Sequence, residues 1–298
     1  MDAIAAHLPV VQRGEAAYQA LRRQRRRVTL GSLALLAAAL ALAGWVSEFY
    51  PASLAAGLPR IGEYFARILP SLEARHLLAD WETEGSLAFW FYRLDKWALL
   101  LLQTAQMAAL ATLAGAAVAL LLAFPAARNL APTRLLHQLT RRGLEATRTV
   151  PEIVYALIFV WAFGVGPLAG ILAIAIHTAG ALGKLFAEVM ENAEMQPWDG
   201  VLASGGSWAQ ACRYAILPQV APNLLSYALL RFEINVRGAS VIGFVGAGGI
   251  GQELYQVIAF NYYEEISAIV VLIIAAVMLI DLLSETLRHR LIHAEGAR

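Results

Sequence analysis

A single cysteine, Cys212, leaves the chain without a partner for an internal disulfide, and no Cys/His spacing marks a metal site. Cys212 therefore reads as a free structural thiol. Charge is also scarce. Asp, Glu, Lys and Arg make up 15% of the 298 residues while hydrophobic residues reach 59%, against roughly 25% charged in soluble domains. A formal net charge of +1 gives no reason to expect nucleic acid. No GxxxxGK[ST] occurs, so ATP and Mg, if ATP drives this protein, must be bound by another subunit. No nucleophile–base constellation is visible, and catalysis by this chain is not expected. No pair of halves repeats, which removes support for an inverted-repeat carrier.

What is present is a series of apolar runs. Residues 1–27 hold Arg13, Arg22, Arg23, Arg25, Arg26 and Arg27 ahead of an apolar run over 28–46, close to the ~20 residues that cross a bilayer. A basic leader of this kind also fits a signal peptide. The run exceeds a usual apolar signal core, and Gly44-Trp45-Val46-Ser47 is not a clear cleavage site, so a retained first span is preferred. Residues 47–96 mix both charges with Pro51, Pro59 and Pro70, and patches such as 61–69 suit an interfacial amphipathic helix. The cluster Trp90, Phe91, Tyr92 and Trp97 suits the headgroup belt.

Further spans are expected over 97–124, ended by Pro125, and over 150–165, 168–189, 222–245 and 266–283. The third and fourth are joined by Gly164-Val165-Gly166-Pro167, and Ala173, Ala175, Ala179, Gly180 and Gly183 allow a neighbouring helix to approach closely. Arg128, Arg134, Arg141, Arg142 and Arg148 fill loop 125–148, and the tail has Arg288, Arg290 and Arg298, while 246–263 has no Lys or Arg. Positive charge therefore places both termini and the polar loop 190–219 in the cytoplasm. The expected fold is all-α, a polytopic membrane protein of about six transmembrane helices. Its divisions are a cytoplasmic basic segment 1–27, a first span with an external or interfacial segment 28–96, a core 97–285 and a cytoplasmic tail 286–298.

Three polar features interrupt the apolar pattern. The loop carries Trp208 and Tyr214, aromatics of a kind that anchor interfaces, and Pro218 punctuates its boundary with the next span. A solvated connector and a docking element both fit. The fifth span carries Arg231, Glu233, Asn235 and Arg237. Each ion costs ~2.5–3.5 kcal/mol at the bilayer centre on insertion scales, so the charges must face protein or a wet cavity. Glu233 and Arg237 stand i, i+4 and can pair. Either a buried structural network or a path for an anion follows, and a path would favour field and water access over tight binding. On the fourth span His177 reads as a hydrogen-bonded packing residue and a path candidate, and Lys184 stands i, i+4 from Glu188. Glu152 suits a helix start. Finally, Gly246, Gly248 and Gly251 satisfy GxGxxG, with Gly249 among them. A dinucleotide site needs a strand before this motif; a membrane helix precedes it here, so the glycines serve backbone freedom at the exit of a span.

The order Asp199-Gly200-Val201, three residues, Gly205, nine residues, Ala215-Ile216-Leu217-Pro218 resembles the signature loop of inner-membrane permease subunits of ATP-binding-cassette importers. Asp for Glu and Ala for Ile depart from that signature. RYAILPQVAPN, RFEINVR and VGAGGIG resemble the phosphonate/phosphite branch. The resemblance covers about residues 97–285. It implies the type I importer permease fold, in a bacterial inner membrane. It also implies a homodimer, two ATPase subunits that bind ATP and Mg, and a periplasmic binding protein. Asp199, Gly200, Gly205, Ser207, Trp208, Arg213, Tyr214, Leu217 and Pro218 would form a coupling element gripped by the ATPase. Phosphonate, phosphite or phosphate would be the cargo. A methionine-type permease, an ion-coupled carrier using Glu233 and a membrane anchor without a conduit are the alternatives.

Overall fold

The computed structural model describes residues 2–293, and among them every regular element is helical. Two compact units divide the chain at residue 66. The first holds α1 (Asp2–Val46) and most of α2 (Pro51–Ile68). Within α1, residues Ala17–Val46 are long and apolar enough to cross a membrane. Leu30, Leu35, Leu40 and Trp45 are all exposed, so the helix is apolar around its whole circumference and needs apolar surroundings. In α2, Pro51 presets the first turn. The helix covers the patch expected to be amphipathic, with no buried residue.

The second unit contains α3 (Leu87–Trp90), α4 (Leu94–Ala126), α5 (Arg134–Thr149), α6 (Glu152–Phe163) and α7 (Pro167–Glu191). Beyond the polar loop come α8 (Gln196–Ala203), α9 (Trp208–Ala211), α10 (Leu217–Ile242), α11 (Gly249–Ala259) and α12 (Tyr263–His293). The centre is α4 against α7. Ala108, Ala111, Gly115, Ala119 and Ala123 recur at helical spacing as a buried small-residue seam. A Cβ on Gly115 would stand 2.7 Å from the Ala175 carbonyl oxygen, so only hydrogen lets the two helices meet there. The opposite face of α7 receives α5, where Gly180 faces Thr147 and the Leu144 carbonyl, and Gly183 faces the Leu144 side chain. The small residues expected to permit close approach thus serve two neighbours.

Two expected boundaries change. Loop 125–148 is mostly the helix α5, started by Thr133, whose hydroxyl accepts from the Leu136 N–H at 3.2 Å. The expected span 150–165 is only the 12-residue α6. At 1.5 Å per residue this is about 18 Å, short of a ~30 Å hydrocarbon core. Val150-Pro151 breaks the chain because proline disfavours a helical predecessor, and α5 and α6 meet at 83°. Among the described residues four helices, or five if that bent pair counts as one, are long and apolar enough to cross. The fifth expected span is the 26-residue α10, long enough to cross but carrying Arg231, Glu233 and Arg237. The tail 286–298 falls partly outside the described residues, and Arg298 lies beyond them.

Candidate functional site

The polar loop is packed, not free. α8 buries Trp198 and leaves Asp199, Gly200 and Leu202 exposed. The chain then reverses at Gly205, with φ +86°, closed by Gly205 N–H to Leu202 O at 3.0 Å and Gly206 N–H to Val201 O at 2.9 Å. L-residues pay for that left-handed backbone, so glycine is the residue that fits. Ser207 starts α9 through a capping box: its hydroxyl accepts from the Gln210 N–H, and the Gln210 side chain accepts from the Ser207 N–H at 2.7 Å. The Ser-x-x-Gln spacing was a visible signal for this start.

Trp208 is not a bare anchor for a partner. Its indole N–H donates to the Leu130 carbonyl at 2.7 Å and its ring meets Phe124 edge-on, so it ties the loop to the end of α4. Tyr214 is the aromatic left open, 66% exposed with the Arg213 guanidinium 5.7 Å from its ring centre. Ala211, Cys212, Ala215 and Ile216 face inward to a cluster with Ala123, Leu130, Leu182 and Met190. Burial pushes the Cys212 thiol up to about 11.

Pro218 does not end a short helix, as its position in the sequence implied. α9, a π turn over Cys212–Ile216 and α10 run on without a gap, and Leu217 N–H reaches back five residues to the Cys212 carbonyl. Pro218 cannot donate to residue 214, and the wider turn accommodates that missing bond. Leu217 and Pro218 therefore lie in the first turn of α10. Gln219, not singled out in the sequence, clasps the start of the loop: its amide donates to the carbonyls of Glu194 and Ala215 and its oxygen accepts from the Glu194 N–H. Glu191 adds a second clasp, 2.8 Å from Arg141 and accepting from the Arg128 N–H at 3.0 Å. Lys184 and Glu188 do pair, at 3.7 Å.

Deeper in α10 the polar residues divide between neighbours. Arg231 lies 2.6 Å from His177 Nδ1 and 4.0 Å from Glu152, joining α10, α7 and the start of α6. Glu152 also packs against Gly238, where a Cβ would stand 2.6 Å from its carboxylate. Asn235 is fully buried and donates to Thr112 at 2.8 Å and Thr178 at 2.9 Å, pinning α4, α7 and α10 together. The expected Glu233–Arg237 pair does not form. Glu233 is buried with Arg288 3.9 Å away, while Arg237 meets both oxygens of Asp281 at 3.3 and 3.0 Å. Helix neighbours at i, i+4 lose here because α12 offers each side chain a partner of opposite charge. Arg231 and His177 thus meet, Asn235 bonds Thr112 and Thr178, and Glu233 and Arg237 face α12.

The glycines make the corner between α10 and α11. Gly246, Gly248 and Gly249 have φ of +88°, +83° and +71°, and Gly251 lies against the Ser240 carbonyl, where no Cβ fits. α11 follows directly, a helix absent from the sequence reading. Its first turn is held by Thr104, whose hydroxyl accepts from the Ile250 N–H at 2.9 Å. Among the described residues no group of three or more His, Cys, Asp or Glu is placed to hold a metal ion.

Residues 115–293 match the family described as the binding-protein-dependent transport system inner membrane component. A phosphite transport system permease protein of Stutzerimonas stutzeri, PtxC, is 36% identical over 260 residues, covering 87% of this chain and 88% of that protein. A putative cryptic phosphonate transport system permease protein of Escherichia coli strain K12, PhnE2, is 47% identical over 121 residues, covering 41% of this chain and 99% of that one. Among solved structures, an inward-facing MetNI methionine ABC transporter chain superposes with a TM-score of 0.57 at 20% identity, over 67% of this chain and 96% of that chain. At that identity the likeness speaks for the fold.

Proposed function

Because this chain belongs to the inner membrane components of binding-protein-dependent transport systems, we propose that it is the non-catalytic, membrane-spanning subunit of an ATP-driven importer of phosphite, phosphonate or phosphate-type oxyanions. The observation that carries the mechanism is the way loop 196–216 is built. Trp208, Gln219 and the buried face of α9 bind it to α4, α7 and α10, while Asp199, Leu202, Gly205, Arg213 and Tyr214 remain outside. A force applied to that outer face passes into the helices through packed side chains rather than being lost in a slack connector. ATPase subunits, carrying ATP and Mg, would press there from the cytoplasm. Two copies of this chain would frame the conduit, and a periplasmic binding protein would deliver cargo on the far side. Both termini are then cytoplasmic.

Within each copy, the proposed path is bordered by Arg231 and His177 with Asn235 beneath them. A guanidinium there supplies the field an oxyanion needs. Glu152 at 4.0 Å offsets part of it, which suits passage better than retention. The test is uptake of labelled phosphite into proteoliposomes containing this chain, its ATPase and its binding protein. ATP-dependent accumulation that phosphonate suppresses supports the reading. Uptake without the ATPase would make the protein an ion-coupled carrier, and uptake of methionine alone would reassign the cargo.

A further inference from the structure

A cavity unrelated to the path lies where α4 passes into α5. It is a half-open cleft of about 300 Å³, lined by Arg128, Ala131, Thr133, Arg134, His137 and Gln138, of which Arg128, Thr133, Arg134 and Gln138 are exposed. Two guanidiniums, an imidazole, an amide and a hydroxyl face one space, and no carboxylate lines it. Nearby acids are committed elsewhere: Glu191 sits 2.8 Å from Arg141, and Glu145 pairs with Arg142. Arg134 has no ion pair among the described residues, and Arg128 meets Glu191 only at 3.6 Å through Nε. His137 Nδ1 is enclosed and has no hydrogen-bond partner.

We propose that this cavity is a binding site for a tetrahedral phosphate-type oxyanion, either free phosphate or the phosphodiester of an anionic lipid. Arg128 and Arg134 supply the paired donors that suit such oxygens, His137 and Gln138 add single donors, and α5 opens beside them with its N-terminal amides. The position gives occupancy a route to the transport machinery. Arg128 and Ala131 line the cavity, and the turn they belong to also holds the loop: the Arg128 N–H donates to Glu191, Asn129 to the Met190 carbonyl at 3.0 Å, and the Leu130 carbonyl accepts from Trp208. An anion on Arg128 draws that side chain from its 3.6 Å contact with Glu191, while Arg141 and the Arg128 N–H keep their hold on the carboxylate. The site rests on the geometry of this helix junction, not on the identity of the cargo.

The experiment is phosphate binding to the full-length protein in phosphatidylcholine nanodiscs, repeated with phosphatidylglycerol. Arg134→Gln/His137→Gln removes one of the two guanidinium charges and the imidazole, the single Arg134→Glu reverses charge at an exposed position, and Arg231→Gln controls for the path. Saturable inorganic phosphate binding weakened at least about tenfold in both cavity variants, but kept in Arg231→Gln, assigns the site to a free oxyanion. No phosphate binding, with phosphatidylglycerol retained over phosphatidylcholine by native mass spectrometry and lost in both cavity variants, assigns it to lipid. Binding unchanged by the cavity variants, binding lost only in Arg231→Gln, or neither ligand bound would overturn the proposal.

Discussion

Gly205 and Cys212 sit within one loop and make opposite demands on substitution. Nothing lies within 4 Å of where a Gly205 Cβ would stand, so a side chain there fits in space, but its φ of +86° strains any L-residue by about 1–2 kcal/mol. Gly205→Asp should therefore reach the membrane, bind its partners and allow ATP hydrolysis, while uptake falls about tenfold or more; that asks for only ~1.4 kcal/mol of lost coupling. Gly205→Ala bears the same strain without the charge and should lose less. Normal uptake by Gly205→Asp would remove the loop from the mechanism. Cys212 is a native reporter of the same motion. Since the thiolate is the reactive form and burial raises the thiol to about 11, maleimide labelling at neutral pH should be slower than for a free cysteine by about a hundredfold or more. The rate should climb as pH approaches that value. Fast labelling at pH 7 would mean that the packed face of α9 is open in the resting protein.

At the scale of elements, the α4–α7 seam is the strut against which the rest of the second unit packs. Its contact depends on Gly115, where even a Cβ would overlap the Ala175 carbonyl and Thr178. Gly115→Leu should separate the helices, with a cost of about 1–3 kcal/mol from overpacking. It should also stretch the Asn235 bonds to Thr112 and Thr178, because those three residues bridge the same helices. The expected outcome is a lower melting temperature in detergent and reduced uptake; an unaltered melting curve would show that the seam has slack. The short α6 depends on a different kind of constraint. Pro151 and the Gly164 turn bound it on either side, and Glu152 secures its first turn to Arg231 and His177. That stretch could be apolar and still fail to span because its length is fixed by backbone punctuation.

For the whole molecule, the telling contact is between α10 and α12. Arg237 and Asp281 pair across 44 residues of sequence, and Glu233 stands 3.9 Å from Arg288. A charged α10 is tolerated because α12 brings a counter-charge to each of these two residues, so neither helix faces lipid with an unmatched ion there. Arg237→Ala should leave Asp281 alone in a membrane helix and lower the amount of assembled protein several-fold, with uptake falling in proportion. Arg237→Ala/Asp281→Ala should recover much of the assembly, since neither charge is then stranded. Unchanged assembly and uptake in the single variant would show that this pair is dispensable.

Long apolar runs, arginine-rich flanks and the spacing from Asp199 to Pro218 were enough to establish an all-α membrane protein and to single out the loop, because each is a local property of the chain. The positions of small residues also announced where helices touch. Partner choice was decided only in three dimensions. Glu233 and Arg237 had a sequence-local solution and took others, since α12 arrives from far along the chain. Trp208, an interface-anchor candidate in the sequence, also bonds the Leu130 carbonyl of its own chain while its ring stays 38% exposed. Whether a side chain points to its own fold or to a partner depends on which distant helix fills the space beside it, and no periodicity within one segment encodes that.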